Sequence, residues 1–252
     1  MAVVGVCSPK GGGGATTVAV NLAISLAGDA TALLMDLNPL TGSGDLYLGV
    51  EVEDGWQQLL TWTESLSYDV LLRAAVRHSS GLLFLGAPSN GGVLGHMRQL
   101  CLLIHHLSML LRWVVLDVPH TCLLDSRFSK QCMDILLLVA TSDPASVRAT
   151  SRCLQVMRQV GYVRPMLILN QASRSMLLSP EQLAERLEVD VLGVLPGDRP
   201  AASMQLYCGL PLATGSGIRM QQRFEQMGSK LCRLFPDEGE GPSRSRGLHE
   251  PA

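Results

Sequence analysis

The glycine-rich segment near the N-terminus constrains the fold of this chain more than any other feature. Four consecutive glycines, Gly11–Gly14, follow the hydrophobic run Val3–Cys7 and precede the helical pattern Val18–Ala27. Glycine lets successive backbone N–H groups turn toward one point, and the N-terminus of the following helix adds partial positive charge. A strand, a glycine loop and a helix in this order predict a phosphate-binding loop.

The loop departs from the standard pattern at one position. Ala15 stands between the last glycine and Thr16, where a phosphate-binding loop ordinarily has a lysine, and Lys10 stands at the entry of the loop. A glycine-rich turn without a ligand is the alternative interpretation. The segment predicts nucleotide binding by Lys10, Gly11, Gly12, Gly13, Gly14, Ala15, Thr16 and Thr17.

Hydrophobic runs and helical patterns alternate along the rest of the chain. The predicted strands are Val3–Cys7, Thr31–Asp36, Leu82–Gly86, Trp113–Asp117, Ile135–Ala140, Met166–Asn170 and Val191–Leu195. This alternation predicts an α/β fold with a doubly wound, mostly parallel sheet and helices on both faces. We expect one domain over residues 1–235 and a disordered tail over 236–252, which is rich in Gly, Pro, Ser and charge.

Composition narrows the class of protein. Hydrophobic residues make up 47% of the chain and aromatic residues only 4%, which favours an aliphatic interior such as a covered parallel sheet. The formal net charge of −2 argues against a specific nucleic-acid surface. The seven cysteines are scattered and contain no C-x-x-C pair, so we expect reduced, buried thiols in a cytoplasmic protein.

Polar residues end several of the predicted strands, at the edge where parallel sheets bind ligands. Asp36, Asp117 and Asn170 occupy such positions. The Thr16 hydroxyl and the Asp117 carboxylate are the candidate ligands of Mg²⁺, because hydroxyl and carboxylate oxygens suit this ion. A helix cap for Thr16 and a strand-ending turn for Asp117 are the alternative interpretations.

The loop resembles the deviant P-loop of the ParA/MinD class of ATPases, whose pattern is Lys-Gly-Gly-x-Gly-Lys-Thr-Thr. Ala15 in place of the second lysine is more specifically similar to the CpaE/TadZ branch of that class. The segments Asn21–Ala23, Asp117–His120 and Ser142–Arg148 add to this similarity. Members of the branch are MinD-like proteins of the Tad (Flp-type) pilus assembly machinery.

The resemblance implies a MinD/ParA-like P-loop NTPase fold that binds ATP and Mg²⁺ and forms a homodimer. In such a dimer Lys10 reaches the partner's nucleotide, and Lys10 and Asp36 are the candidate catalytic residues. Asn170 stands where the family contacts the adenine edge, whose donor and acceptor match a side-chain amide, and a loop-capping role is the alternative interpretation. Asn38 stands where active members have a second aspartate that positions water, and a turn residue before Pro39 is the alternative interpretation.

The resulting prediction is an ATP-binding, dimerising localisation or assembly factor for a Tad-type pilus, with little or no ATP hydrolysis because of Ala15 and Asn38. Its predicted partners are pilus or secretion assembly proteins, through which it would associate peripherally with the membrane. Its predicted location is cytoplasmic, with a polar or inner-membrane position left open. The alternatives are an active ParA/MinD-type ATPase that positions DNA or another cargo, a nucleotide-free scaffold, and an iron–sulfur reductase, which would need paired interface cysteines.

Overall fold

The computed structural model describes residues 1–28, 31–39, 41–87, 97–159, 164–172, 176, 178–214 and 218–236. Within these residues, eight strands form one sheet in the order β3-β4-β2-β5-β1-β6-β7-β8. All neighbouring strands are parallel except β3, which pairs antiparallel with β4 at the edge. The strands are β1 Ala2–Cys7, β2 Ala32–Asp36, β3 Val76–Arg77, β4 Leu83–Leu85, β5 Trp113–Asp117, β6 Ile135–Ala140, β7 Pro165–Ala172 and β8 Asp190–Pro196.

Helices connect the parallel strands and cover both faces of the sheet. They are α1 Ala15–Ala27, α2 Gly44–Leu48, α3 Tyr68–Ala74, α4 Met97–Leu110, α5 Ser126–Gln131, α6 Pro144–Gln159, α7 Pro180–Leu187, α8 Arg199–Cys208 and α9 Ile218–Leu234. Two 3₁₀ segments, Trp56–Ser65 and His120–Leu124, complete the described elements. The predicted doubly wound α/β fold is confirmed.

Two aliphatic cores lie on opposite faces of the sheet because side chains alternate along a strand. In β1, Val4 and Val6 belong to the core under α1 and α9, whereas Val3 and Cys7 belong to the core under α4 and α6. Every residue of β1, β2, β5 and β6 is buried. The central strands are therefore hydrophobic on both faces, as a covered parallel sheet requires.

The C-terminal helix α9 is part of the packed domain. Its buried residues are Met220, Phe224, Met227, Gly228 and Leu231, which belong to or face the core shared with α1 and β8. Among the described helices, none has the length and apolarity needed to cross a lipid bilayer.

The structure corrects the expectation of reduced, buried thiols. Cys101 of α4 and Cys132, just after α5, form a disulfide, and their Cα atoms are 5.4 Å apart. They are 31 residues apart in sequence, so only the side-by-side packing of α4 and α5 brings them together. Cys208 and Cys232 are exposed. Cys7 and Cys122 are buried as expected.

Some predicted features lie outside the described residues. They include the start of the long helix expected from Val93, the end of a helix expected at Val160, and the tail beyond Pro236. The described part of the long helix, α4, agrees with its predicted end near residue 111.

Candidate nucleotide-binding site

The glycine loop joins β1 to α1 at the carboxyl edge of the sheet. Gly12 and Gly14 have φ angles of 78° and 92°, in the left-handed region that side chains disfavour. The Ser8 hydroxyl donates to the Lys10 carbonyl at 2.7 Å, and the Gly13 N–H donates to the same carbonyl at 3.3 Å. These bonds fold the backbone into a compact turn in front of the helix.

Helix α1 begins directly at the loop and has no side-chain cap among the described residues. The first N–H groups of a helix lack intrahelical partners and, with the helix dipole, form a site for an anion. Ala15, Thr16 and Thr17 supply these groups. The Ala15 methyl packs against the core beneath α1 and brings no positive charge to the loop.

Thr16 and Asp117 meet where β5 ends beside the loop. The Thr16 hydroxyl donates to an Asp117 carboxylate oxygen at 2.6 Å, and Asp117 is 2% exposed. Burial raises the pKa of Asp117 to about 7, the nearby Asp36 carboxylate adds to the rise, and the hydrogen bond from Thr16 opposes it. The structure thus brings the two predicted metal ligands into contact.

Asp36 lies opposite Asp117, because β2 and β5 pair in a register that aligns these two residues. One oxygen of the Asp36 carboxylate accepts bonds from the backbone and side chain of Asn38, at 2.9 and 3.0 Å. The other accepts from the N–H groups of Ser43 and Gly44, both at 3.1 Å. Asp36 therefore anchors the loop between β2 and α2, and a catalytic role for it stays a prediction.

Asn38 also belongs to this buried network. Its amide nitrogen donates to Asp36 and, at 3.3 Å, to the Asp117 carbonyl. An aspartate at this position would lose both donated bonds and would place a third carboxylate beside two others. The amide thus has a structural role in holding the ends of β2 and β5 together.

The Lys10 side chain is held by a residue for which the sequence predicted no role in the site. Its ammonium contacts the Asp143 carboxylate at 2.9 Å, and the two side chains are 44% and 40% exposed. The Asp143 carboxylate also accepts bonds from Thr141 and from the N–H groups of Ala145 and Ser146. The bond from Thr141, together with Lys10 and Ser146, keeps the pKa of Asp143 well below its usual range.

The sequence around Asp143 has the pattern of a helix N-cap. It follows the end of β6 and directly precedes Pro144, the first residue of α6, as helix-capping aspartates often do. Its approach to Lys10, however, depends on the pairing of β1 with β6, which sequence spacing does not specify.

Asn170 lies against the back of the loop. Its amide nitrogen donates to the Gly13 carbonyl at 2.9 Å, its oxygen accepts from the Gln171 N–H at 2.9 Å, and it is 7% exposed. A side chain at Gly14 would collide with this amide. Asn170 therefore supports the loop, and its predicted contact with adenine stays a prediction.

Comparisons with known proteins bear on the fold. No protein-family profile matches the sequence. The septum site-determining protein MinD of Synechocystis sp. is 23% identical over 203 residues, which cover 78% of this chain and 76% of that protein.

Solved structures resemble this chain in fold over more of its length. A ParA family ATPase from Chlorobium tepidum superposes with a TM-score of 0.80 at 20% identity, covering 90% of this chain and 98% of that one. MinD from Pyrococcus horikoshii, solved in complex with Mg-ADP, gives a TM-score of 0.76 at 20% identity, with coverages of 92% and 96%. The fold is that of the MinD and ParA ATPases.

Proposed function

We propose that this chain is a nucleotide-binding, dimerising localisation or assembly factor of the MinD type, acting on a Tad-type pilus with little or no ATP hydrolysis. One arrangement supports nucleotide binding above all: an uncapped helix N-terminus behind a glycine loop, with Thr16 and Asp117 in contact beside it. The helix N-terminus and the glycine loop suit phosphate oxygens, and the Thr16–Asp117 pair suits Mg²⁺.

The residues present fit ATP and Mg²⁺. Asp36 and Asp117 are two buried carboxylates on adjacent strands, and such a pair favours a nearby cation. Thr16 and Asp117 would hold Mg²⁺, and the N–H groups of the loop and of the first turn of α1 would hold the phosphates. Bound Mg²⁺ would neutralise phosphate charge, and the protein would orient the nucleotide around it.

The missing loop lysine weakens binding without removing the site. A charge-assisted hydrogen bond contributes roughly 1.5–3 kcal/mol, so its loss lowers affinity by about 10- to 150-fold. Lys10 does not stand at the position of the missing lysine, and in the single chain its ammonium is paired with Asp143. We therefore expect affinity for Mg–ATP in roughly the micromolar range or weaker.

The proposed slow hydrolysis is explained by the residues at two positions, Ala15 and Asn38. Phosphoryl transfer depends on charge stabilisation and on an oriented water. Ala15 supplies no charge, and the Asn38 amide is bonded to Asp36 and to the Asp117 backbone. The chain would act as a switch that is set by nucleotide occupancy and dimerisation.

The pilus assignment is supported by the similarity of the loop and of Asp117–His120 to the CpaE/TadZ branch. The general role in localisation is supported by the likeness to the septum site-determining protein MinD and to a chain of the MinC:MinD complex of Aquifex aeolicus, whose TM-score is 0.75. The proposed partners are pilus or secretion assembly proteins, at a cytoplasmic site beside a pole or the inner membrane.

Calorimetric titration with ATP, with and without Mg²⁺, tests the nucleotide site. We expect Mg²⁺-dependent binding that Thr16→Ala weakens and that the control Thr61→Ala, an exposed threonine in a 3₁₀ segment, leaves unchanged. Absence of heat and of a thermal shift at millimolar ATP would instead indicate a nucleotide-free scaffold. Turnover comparable to that of an ordinary MinD-type enzyme would favour the active ATPase.

The pilus role has a separate test in the organism that carries the gene. Deletion should abolish Tad-type pili at the cell surface, and the wild-type chain supplied in trans should restore them. Normal piliation after deletion would contradict the pilus assignment and leave the nucleotide site unaffected.

A further inference from the structure

The disulfide between Cys101 and Cys132 encloses the part of the chain that carries Asp117. It joins α4 to the connection between β5 and β6, residues 118–134, and the two Cα atoms are 5.4 Å apart. The 31-residue separation of the two cysteines contains all of β5, and Asp117 is the last residue of that strand. The cysteine pair therefore acts on a connection that begins directly after a candidate Mg²⁺ ligand.

The two elements that the disulfide joins differ in how firmly they are held. Helix α4 is anchored in the core by Leu100, Leu103 and Leu107, which are fully buried. Helix α5, within the connection, has only six residues and is too short to be stable without tertiary contacts. Phe128 of α5 is buried in the same core. The position of the connection thus depends on what holds it against α4.

Hydrogen bonds within the connection give it its shape. The Cys122 N–H donates to the Pro119 carbonyl at 3.0 Å, and the Asp125 N–H donates to the Cys122 carbonyl at 3.2 Å. The Asp125 carboxylate accepts from the Phe128 N–H at 3.0 Å. These bonds do not attach the connection to α4, whereas the disulfide does so covalently. Reduction would therefore let the connection separate from α4 more readily.

The two sulfur atoms differ in their access to solvent. Cys101 is partly exposed, whereas Cys132 is 2% exposed. A thiolate from solvent consequently reaches the Cys101 sulfur, with the Cys132 thiolate as the leaving group. Both side chains pack in the core beneath α4, where a thiol behaves as a small apolar group. The reduced pair therefore also fits the fold.

We propose that Cys101 and Cys132 form a reversible thiol–disulfide switch that controls how readily the connection 118–134 opens. In the reducing direction, the thiolate of a low-molecular-weight thiol attacks Cys101 Sγ, the protein S–S bond breaks, and Cys132 Sγ leaves with the electron pair and takes a proton. A second small thiol attacks the mixed disulfide and releases Cys101 as a thiol. Two electrons pass to the protein as two small thiols become one disulfide, and a small disulfide reverses the steps.

The oxidised form should favour nucleotide binding, because a fixed connection holds Asp117 in place at a lower entropy cost. This consequence rests on the proposed function, whereas the switch itself is measurable without nucleotide. The proposed cytoplasmic location also favours a reversible pair, since disulfides in the cytoplasm are usually transient or redox-sensing.

The test uses the full chain with Cys208→Ser/Cys232→Ser, which removes the two exposed thiols. Millimolar reduced glutathione should free two further thiols, counted by alkylation and mass spectrometry, and glutathione disulfide should remove them again. On reduction, amide hydrogen exchange should accelerate by about tenfold or more in the connection 118–134 and stay unchanged in the central strand β1.

The matched control is Cys101→Ala/Cys132→Ala in the same background. Its hydrogen exchange should resemble that of the reduced form and should not respond to glutathione. Circular dichroism confirms that the fold is retained. The main comparison is between two redox states of one polypeptide, so it does not depend on how well this variant folds.

Calorimetry with Mg–ATP measures the consequence for the nucleotide. The oxidised form should bind about three- to tenfold more tightly than the reduced form, and the alanine control should bind equally with and without glutathione. If neither form binds ATP, the proposed function fails, and the thiol and exchange measurements still decide the switch.

Three outcomes would overturn the switch. The first is a pair that stays oxidised in excess reduced glutathione, which would make it a structural disulfide. The second is a reduced pair that glutathione disulfide does not oxidise. The third is equal hydrogen exchange of the connection in both redox states. Equal affinity of the two forms for Mg–ATP would overturn the control of the nucleotide site.

Discussion

Asp117 is a buried carboxyl of the site whose ionisation is coupled to folding. Its pKa is raised to about 7 in the folded protein, mainly by burial, whereas a carboxyl in the unfolded chain titrates near 4. The folded state therefore holds the proton more tightly, so this residue favours folding below about pH 4. That contribution is lost progressively as the pH rises toward 7.

Asp117→Asn should consequently stabilise the metal-free protein at pH 8 by about 1–3 kcal/mol, because it removes a buried charge. It should also abolish the Mg²⁺ dependence of nucleotide binding. Denaturant unfolding at pH 5 and pH 8 measures the first effect, and calorimetry measures the second. A variant less stable than wild type at pH 8 without Mg²⁺ would show that the carboxylate is needed as an acceptor for Thr16.

Ala15 and Asn38 determine the expected rate of ATP hydrolysis. Wild-type protein should hydrolyse ATP near the background rate. Neither Ala15→Lys nor Asn38→Asp alone should restore much turnover, because charge stabilisation and water positioning act as a unit.

The structure adds a physical reason for the weakness of the single change at Asn38. Asn38→Asp would remove the hydrogen bonds that the amide donates to the Asp36 carboxylate and the Asp117 carbonyl, and it would add a third carboxylate. A lysine at position 15 would offset that charge, so the double variant should exceed both single ones in a phosphate-release assay. Fast turnover by the wild type would contradict this account.

At the residue level, the sequence singled out Thr16 and Asp117 as candidate metal ligands but did not specify their contacts. The two side chains meet in the structure because the glycine loop and the end of β5 lie at the same edge of the sheet. The contact between Lys10 and Asp143 and the bond from Asn170 to the loop required the strand order β1-β6-β7. Strand order is a property of the whole sheet, and local patterns do not encode it.

Among the elements, the long buried strands and the capped helix α7 were predictable, whereas helix α8 and strand β3 were not. Strands β1, β5 and β6 are continuous hydrophobic runs, which is the pattern of a covered parallel sheet. Helix α8 was missed because it lacks a clear polar face. Its Met204, Leu206 and Tyr207 are exposed although they are apolar. The edge strand β3 is only two residues long, too short for any periodic signal.

Helices α2 and α8 meet through two glycines that follow their C-terminal ends. Gly49 and Gly209 have φ angles of 64° and 60°, and a Cβ at Gly209 would collide with the Gly49 backbone. The contact holds α8 in place despite its exposed apolar residues. Both conformations and the close approach require glycine.

Gly209→Ala should therefore destabilise the fold by about 2–4 kcal/mol, from left-handed strain and from the steric clash together. The matched control is Gly81→Ala, since Gly81 has a φ of 89° and open space around it. Gly81→Ala should lower the free energy of unfolding by only about 1 kcal/mol. Equal losses in chemical denaturation would show that the contact between α2 and α8 contributes nothing.

For the whole molecule, the regular alternation of strands and helices was sufficient to predict the fold class. Each parallel connection needs a crossover helix, and right-handed crossovers leave few arrangements of the sheet. What the sequence could not specify is how the Lys10 side chain is placed in the single chain. In the structure it pairs with Asp143 of the same chain, whereas the family resemblance predicts contact with the partner's nucleotide.

These two arrangements exclude each other, so dimerisation would require Lys10 to leave Asp143. An exposed ion pair contributes only about 0–1 kcal/mol, and a polyphosphate can replace it at little cost. We expect Lys10→Ala to weaken Mg–ATP-linked dimerisation more than it weakens nucleotide binding by the monomer. Sedimentation velocity with and without Mg–ATP measures the dimer constant, and calorimetry measures the binding.

Asp143→Asn provides the matching variant in the opposite direction. It removes the charge that holds Lys10 but keeps an oxygen that accepts from Ala145 and Ser146, so α6 should remain capped. Freed of its partner, Lys10 should strengthen the Mg–ATP dimer by up to about fivefold, the equivalent of one exposed ion pair. An unchanged dimer constant in Lys10→Ala would show that Lys10 acts only within its own loop. Weakening by Asp143→Asn would show that the Lys10–Asp143 pair persists in the dimer.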